Sequence, residues 1–238
     1  MNATATATTF RIGLVIFPRM TQLDATAPYE VFARIPGAET LLVAESREPV
    51  VTEHGLAIVP TTTFDDAPPL DLICVPGGAG IAALIENDRA LDYVAREGAR
   101  AEWVTSVCTG ALVLGAAGLL DGYRATTHWL SLDLLATCGA IPTAERVVRD
   151  RNRVTGGGVT AGLDFALAIA ALLRGDAFAE QTQLLLEYDP APPFASGSPN
   201  RAAEALTASL RSEREPLQRS RRAALESAMR RRAGRVLP

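Results

Sequence analysis

Runs of consecutive apolar residues indicate the strands of this chain. The clearest are Arg11 to Phe17, Asp71 to Val75 and Trp103 to Val107. Continuous apolar runs, unlike alternating ones, are typical of parallel strands that helices cover on both faces. Further strands are expected at Thr40 to Glu45 and Tyr123 to Thr127.

Helical patterns separate these strands. Helices are expected at Ala25 to Ile35, at Asn87 to Arg100 and at Asp176 to Tyr188. The segment Val159 to Leu173 is apolar on nearly every helical face, which predicts a position in the core or at a subunit interface. Strands that alternate with helices indicate an α/β fold with a mainly parallel central sheet.

Cys108 lies where the strand ending at Val107 meets an Ala/Leu-rich helical segment. The frame Ser106-x-Cys108-x-Gly110 is the cysteine analogue of a nucleophile elbow, in which a tight strand-to-helix turn exposes the reactive side chain. A position at the start of a helix favours the thiolate form of a cysteine. The alternative is a small, buried hydrophobic residue.

Two other features follow strands of the predicted sheet. Asp24 lies in the first turn after the first strand, where Thr21-Gln22-Leu23-Asp24 has the spacing of a capping box. Because α/β sheets bind ligands beyond the carboxyl ends of their strands, Asp24 is either a functional acid or the acid of that cap. The glycine-rich loop Pro76 to Gly80 lacks the residues of a phosphate-binding loop. Its N–H groups fit an oxyanion hole better.

The composition narrows the chemistry. The 238 residues include 23 arginines and no lysine, so a Schiff-base lysine and a phosphate-loop lysine are both excluded. The three cysteines, Cys74, Cys108 and Cys138, lie on different predicted elements. This favours a reducing compartment, the cytoplasm, over a disulfide framework. Two histidines without a Cys/His cluster argue against zinc.

Charge divides the chain into unequal parts. Residues 1–200 hold 13 arginines and 23 acids, whereas residues 201–238 hold 10 arginines and 4 acids. We expect a disordered start (1–9) without signal-peptide features, an α/β domain (10–198) and an arginine-rich helical tail (199–238).

The tail fits an exposed face or an arm that clasps the other subunit of a homodimer. Nucleic-acid binding is not expected, because the body is acidic and the tail lacks interleaved aromatic residues. No apolar stretch is long enough to span a membrane.

Four motifs occur in the order and spacing of a known superfamily. They are Thr21-Gln22-Leu23-Asp24, Asp71 to Gly78, Val107-Cys108-Thr109-Gly110 and Thr126-Thr127-His128-Trp129. On these residues the chain resembles the ThiJ/PfpI superfamily over about residues 10–198, and within it the isonitrile hydratases. The resemblance implies a flavodoxin-like three-layer sandwich with a cysteine elbow. It also implies an enzyme that adds water to a small isonitrile (isocyanide) to give an N-substituted formamide.

The resemblance also implies residue roles. Cys108 is the expected nucleophile at the isonitrile carbon, and Asp24 is the expected general acid and base. Thr109 stands where superfamily proteases carry the histidine partner of the cysteine. The N–H groups of Gly77, Gly78 and Thr109 are expected to stabilise negative charge. A two-fold dimer is implied, and neither a cofactor nor a metal is expected.

Some alternatives stay open at this point. His128 matches a histidine that some relatives place near the cysteine, but it also suits the N-cap of its own helix. A non-enzymatic sensor or redox-responsive protein, related to amidase-like transcription regulators, is a second functional class. The 38 residues after Asn200 are too few for the DNA-binding domain of such regulators. Another cysteine hydrolase or a glyoxalase of the superfamily is the third class.

Overall fold

The computed structural model describes residues 9–235 of the chain, apart from the side chain of Arg235. The strands of this part are β1 (Phe10–Val15), β2 (Ala38–Ala44), β3 (Val50–Val51), β4 (Ala57–Ile58), β5 (Thr62–Thr63), β6 (Leu72–Val75), β7 (Trp103–Val107), β8 (Arg124–Ala125), β9 (Ile141–Pro142), β10 (Val147–Asp150) and β11 (Arg153–Gly156). The α-helices are α1 (Gln22–Phe32), α2 (Ile81–Glu86), α3 (Asp88–Arg100), α4 (Gly110–Ala116), α5 (Ala161–Arg174), α6 (Asp176–Leu185) and α7 (Glu204–Arg235). A 3₁₀ helix spans Trp129–Cys138. The expected disordered start at residues 1–9 lies outside the described residues except for Thr9.

Seven of these strands form one sheet in the order β10-β11-β7-β6-β1-β2-β5. Neighbouring strands are parallel throughout, except that β10 pairs antiparallel with β11. Helices α1, α5 and α6 pack together, and α2, α3, α4 and α7 form a second group with the 3₁₀ helix. The predicted α/β fold with a mainly parallel central sheet and flanking helices is confirmed.

Burial explains why the central strands are apolar without interruption. All four residues of β6 are buried, as are the last four of β1 and of β7. These strands occupy the middle of the sheet, where layers of helix lie on both faces. Their carboxyl ends meet at one edge, so the segments that follow β1, β6 and β7 come together there.

Two short elements, β5 and α2, were not anticipated. The two-residue strand β5 and the six-residue helix α2 are too short for a hydrophobic period to be visible. The strand expected at Tyr123 to Thr127 is reduced to β8, which pairs with β9 outside the main sheet. Strands β3 and β4 form a small antiparallel hairpin around His54-Gly55.

The arginine-rich segment is helical as predicted, but it is not set apart from the domain. Helix α7 packs against α2 and the 3₁₀ helix of its own chain. Ala224, Leu225 and Ala228 of α7 belong to the hydrophobic core. The expectation of an exposed tail therefore needs correction, because one face of this helix is apolar and is covered by the domain. Within residues 9–235, no helix combines the length and hydropathy needed to cross a bilayer.

Candidate active site

Cys108 has a backbone conformation that few non-glycine residues adopt. Its φ angle is 56°, in the left-handed region, at the turn between β7 and α4. The Cys108 N–H donates to the carbonyls of Gly156 at 3.0 Å and Gly157 at 2.8 Å. The Thr127 hydroxyl donates to the Cys108 carbonyl at 2.7 Å. These hydrogen bonds hold the turn in the geometry of a nucleophile elbow.

Gly110 explains why the elbow needs a small residue two positions after the cysteine. A Cβ atom on Gly110 would lie 1.9 Å from the Val75 carbonyl oxygen and 2.8 Å from that of Pro76. No side chain fits at such distances, so the start of α4 passes directly over the end of β6. The close backbone crossing expected from the sequence frame is present.

Asp24 lies beneath the elbow and is fully buried, with 0% exposure. Its Oδ2 atom accepts the N–H of Gly77 at 3.0 Å. The Thr21 side chain makes no capping hydrogen bond to α1, so the capping-box interpretation of this segment is wrong. Asp24 Oδ1 meets no donor in hydrogen-bonding geometry within the described part of the chain. The Cys108 thiol nevertheless interacts with the carboxyl and lowers its pKa.

The pKa values of this pair are both raised. Burial raises the pKa of Asp24 to about 7, against the opposing effects of the Cys108 thiol and the Gly77 N–H. Burial and the nearby Asp24 carboxylate also raise the pKa of Cys108 well above its ordinary value. The expectation that the helix start favours the thiolate is therefore wrong for the free protein. Burial of a side chain that is only 4% exposed outweighs the helix dipole and the N–H of Thr109.

The glycine loop holds the site together but does not leave both its N–H groups free. The Gly77 N–H is bonded to Asp24, and the Gly78 N–H donates to Thr109 Oγ1 at 3.1 Å. A Cβ atom on Gly77 would lie 2.5 Å from Thr109 N and 2.9 Å from Asp24 Oδ2. The oxyanion hole expected from Gly77 and Gly78 needs correction, because both donors already have acceptors. The N–H of Thr109 interacts with the Cys108 sulfur.

A cavity of about 330 Å³ opens above Cys108 and Thr109. Its other lining residues come from the segments after β1, β6 and β11, from the turn between β3 and β4, from the start of the 3₁₀ helix with its N-cap, and from α7: Thr21, Glu53, His54, Gly78, Ala79, His128, Trp129, Leu130, Val159, Leu210, Arg214, Leu217, Gln218 and Arg221. Nδ1 of His128 accepts the N–H of Leu130 at 3.3 Å, which is the capping role left open above. Burial lowers the pKa of His128 to about 4, so its imidazole is neutral at physiological pH.

Two cavity residues, Gln218 and Arg221, escaped the sequence analysis. Both lie on α7 and are buried, with 8% and 6% exposure. The signal was a helical face: Leu210, Arg214, Leu217 and Arg221 recur at intervals of three or four residues, Gln218 lies beside them, and all five line the cavity. The abundance of arginine in this segment obscured that pattern. Within residues 9–235, no group of three His, Cys, Asp or Glu side chains is placed to hold a metal ion.

Comparisons with known proteins agree with this geometry. The profile of the DJ-1/PfpI family matches residues 10–172. The isonitrile hydratase of Pseudomonas putida is 54% identical over 206 residues, which cover 87% of this chain and 90% of that protein. The HTH-type transcriptional regulator GbdR of Pseudomonas aeruginosa is 33% identical over 177 residues, 69% of this chain and 47% of the regulator. The crystal structure of a THiJ/PfpI family protein from Pseudomonas syringae superposes with a TM-score of 0.89 at 43% identity, covering 94% of this chain and 97% of that one.

Proposed function

The chain belongs to the DJ-1/PfpI family, and on that premise we propose that it is an isonitrile hydratase, which converts an isonitrile and water into an N-substituted formamide. The observation that carries the proposal is the buried pair of Cys108 and Asp24 beneath a cavity. The 54% identity to the isonitrile hydratase of Pseudomonas putida, over most of both proteins, supports it. Because the proposed reaction adds water to the carbon–nitrogen group of an isonitrile, the enzyme would be classified as a lyase.

The first step forms a covalent bond between the enzyme and the substrate. Asp24, ionised in about half of the molecules near pH 7, takes the proton of the Cys108 thiol. The sulfur then attacks the terminal carbon of the isonitrile, and Asp24 returns the proton to that carbon. The result is a thioimidate, in which the former isonitrile carbon carries one hydrogen, the sulfur and a double bond to nitrogen. Asp24 ends the step ionised.

The second step adds water to the thioimidate. The water oxygen bonds to carbon, one water proton goes to Asp24, and Asp24 passes that proton to the substrate nitrogen and is ionised again. The carbon–sulfur bond then breaks, the remaining hydroxyl becomes the carbonyl of the formamide, and the proton of that hydroxyl goes to the Cys108 sulfur. The Thr109 N–H is the remaining backbone donor near the reacting carbon, and the Thr109 hydroxyl accepts from Gly78 and so fixes the loop beside it.

Purified protein incubated with cyclohexyl isocyanide tests this function. We expect N-cyclohexylformamide to form with wild-type protein and with Cys138→Ala, and not with Cys108→Ala. Cys138 is the matched control, because it is also free and buried but does not line the cavity. Formamide production by Cys108→Ala at the wild-type rate would contradict the role of Cys108 as the nucleophile. If wild-type protein forms no formamide, the proposed function is contradicted.

A redox-responsive or sensor protein is the competing function, and the relationship to the regulator GbdR favours it. The raised pKa of Cys108 argues against it, because oxidation proceeds through the thiolate. Residues 204–235 also form one continuous helix on the domain and no helix-turn-helix. Formation of sulfinate on Cys108 at low peroxide, without any turnover of isonitriles, is the result that favours the sensor.

We further propose that the protein is a homodimer of the cytoplasm. Three exposed apolar side chains support the dimer: Leu184 and Leu185 at the end of α6, and Phe194 in the segment that follows, are 82%, 71% and 80% exposed. Large apolar side chains exposed to this extent are typical of a contact surface where they adjoin one another. The free state of Cys74, Cys108 and Cys138 supports the reducing compartment. Light scattering at micromolar concentration should give twice the chain mass of 25.2 kDa, and a mass of one chain is the contradicting result.

A further inference from the structure

Three polar side chains form a hydrogen-bonded group beside the cavity, and two of them, Gln218 and Arg221, line it. Arg221 Nη1 donates to Ser131 Oγ at 3.2 Å, and Ser131 donates to Gln218 Oε1 at 2.7 Å. Arg221 Nη2 donates to the Gly78 carbonyl at 3.0 Å, which ties the group to the glycine loop beside Thr109. We refer to Ser131, Gln218 and Arg221 as the α7 corner.

The α7 corner has two buried donors without an acceptor. Arg221 Nε and Gln218 Nε2 meet no hydrogen-bond partner within the described part of the chain. Both residues are more than nine-tenths buried, and both line the cavity that contains Cys108. An unmet donor in such a position is destabilising, so a ligand that supplies an acceptor is favoured there.

The charge of Arg221 is also unbalanced. Buried arginines are normally paired with a carboxylate, whereas the partners of Arg221 are a hydroxyl and a carbonyl, and it forms no ion pair within residues 9–235. Glu53 lines the same cavity, is only half-buried, and accepts from the Thr21 hydroxyl at 3.3 Å. Arg214 also lines the cavity from α7, but it pairs with Glu213 at 3.3 Å. Arg221 is therefore the buried charge of this wall that has no ion-pair partner within residues 9–235.

We propose that the α7 corner binds a carboxylate on the substrate, so that the preferred isonitriles carry an acidic group a short distance from the isonitrile carbon. Arg221 and Gln218 supply the two free donors, and a carboxylate has the two oxygens to accept from them. The apolar side chains of Trp129, Val159 and Leu217 line the same cavity and suit a short hydrocarbon linker. This inference deepens the proposed function and rests on it.

A matched pair of substrates isolates the role of the carboxylate. The probes are 3-isocyanopropanoate and its methyl ester, which differ in the negative charge and keep the same linker. We expect wild-type kcat/KM to be about 10- to 100-fold higher for the acid, from the usual strength of hydrogen bonds to a charged group. Arg221→Met should bring the ratio close to one, mainly by loss of activity on the acid. Arg222→Met is the control, because Arg222 is exposed and pairs with Asp133 at 3.0 Å.

Gln218→Glu keeps the test decisive if Arg221→Met does not fold. The glutamate has the same shape and retains an acceptor for Ser131, but it places a negative charge in the α7 corner and pairs with Arg221. We expect the preference for the acid to be lost in this variant as well. A ratio near one in wild-type protein, or an equal fall on acid and ester in Arg221→Met, overturns the proposal.

Binding without turnover separates this inference from the proposed function. The probe is N-formyl-β-alanine, the formamide expected from 3-isocyanopropanoate, titrated into Cys108→Ala by calorimetry. We expect binding that weakens at least 10-fold when Arg221→Met is added, while Arg222→Met has no effect. That result supports the carboxylate site even if no isonitrile is hydrated. No binding to Cys108→Ala, or binding that Arg221→Met leaves unchanged, overturns it.

Discussion

Replacing Asp24 by asparagine should stabilise the protein at neutral pH while removing its activity. The carboxyl is fully buried, and burial is the main reason that its pKa rises from 3.8 to about 7. Asparagine has nearly the same shape and keeps an oxygen that accepts the Gly77 N–H, so the packing beneath the elbow is preserved. What the substitution removes is the ionised form, and with it the unfavourable burial of a charge.

The size and direction of this effect follow from the two pKa values. Because the folded state holds the Asp24 proton more tightly than the unfolded state, protonation favours folding below pH 3.8, and this contribution is lost as the pH rises through about 7. At about 1.4 kcal/mol per pH unit, the full loss is about 4 kcal/mol. Between pH 5 and pH 8 the loss is about 2 to 3 kcal/mol. The asparagine variant has no such loss, so its stability relative to wild type should grow by that amount.

Urea unfolding of both proteins at several pH values between 5 and 8 measures the difference. Asp189→Asn is the control, since Asp189 is exposed, and its difference from wild type should not change over this interval. A pH-independent difference for Asp24→Asn would refute the reasoning, as would a wild-type protein that gains stability over the variant towards pH 8. Either result would mean that the folded protein does not hold this proton more tightly than the unfolded chain.

Three further predictions follow from the same geometry. The pH profile of kcat/KM should rise through about pH 7 as Asp24 ionises and then level off, and this rise should be missing in Asp24→Asn, whose kcat should be about 10²- to 10⁴-fold lower. Gly110→Ala should not fold, because its methyl group would lie 1.9 Å from a carbonyl oxygen of β6, whereas Gly197→Ala, with open space around it, should leave circular dichroism unchanged. Leu225→Ala should lower the unfolding free energy by about 2 to 5 kcal/mol, and Leu206→Ala, on an exposed part of α7, by less than about 1 kcal/mol in urea titrations; equal losses would contradict the packing of α7 on the domain.

Hydrophobic patterning was sufficient to predict the sheet and the meeting of its functional loops. Continuous apolar runs identified β1, β6 and β7, and parallel strands bring the segments after them to one edge. Asp24, the loop at Gly77 and the elbow at Cys108 each follow one of these strands, so strand direction alone brings them to the same edge. The prediction depended only on strand direction, which the alternation of strands and helices determines.

The electrostatic state of the site was not predictable from the same pattern. The helix start at Cys108 is visible in the sequence and favours the thiolate. The depth of burial and the contact with Asp24 are tertiary facts, and they reverse the direction of the pKa change. The availability of the Gly77 and Gly78 N–H groups as donors also depends on tertiary contacts. Whether a donor is free depends on which side chains other elements bring to it, here Asp24 and Thr109.

Two neighbouring arginines of α7 take different positions, one at the surface and one at the cavity. In the sequence Arg221 and Arg222 are equivalent, and an arginine-rich helix indicates a solvated face. On the helix they point about 100° apart. Arg222 pairs with Asp133 on the outside, whereas Arg221 is buried and donates to the Gly78 carbonyl beside the elbow. Only the apolar face that runs through Leu225 fixes the rotation of the helix. That face therefore decides which arginine reaches the cavity.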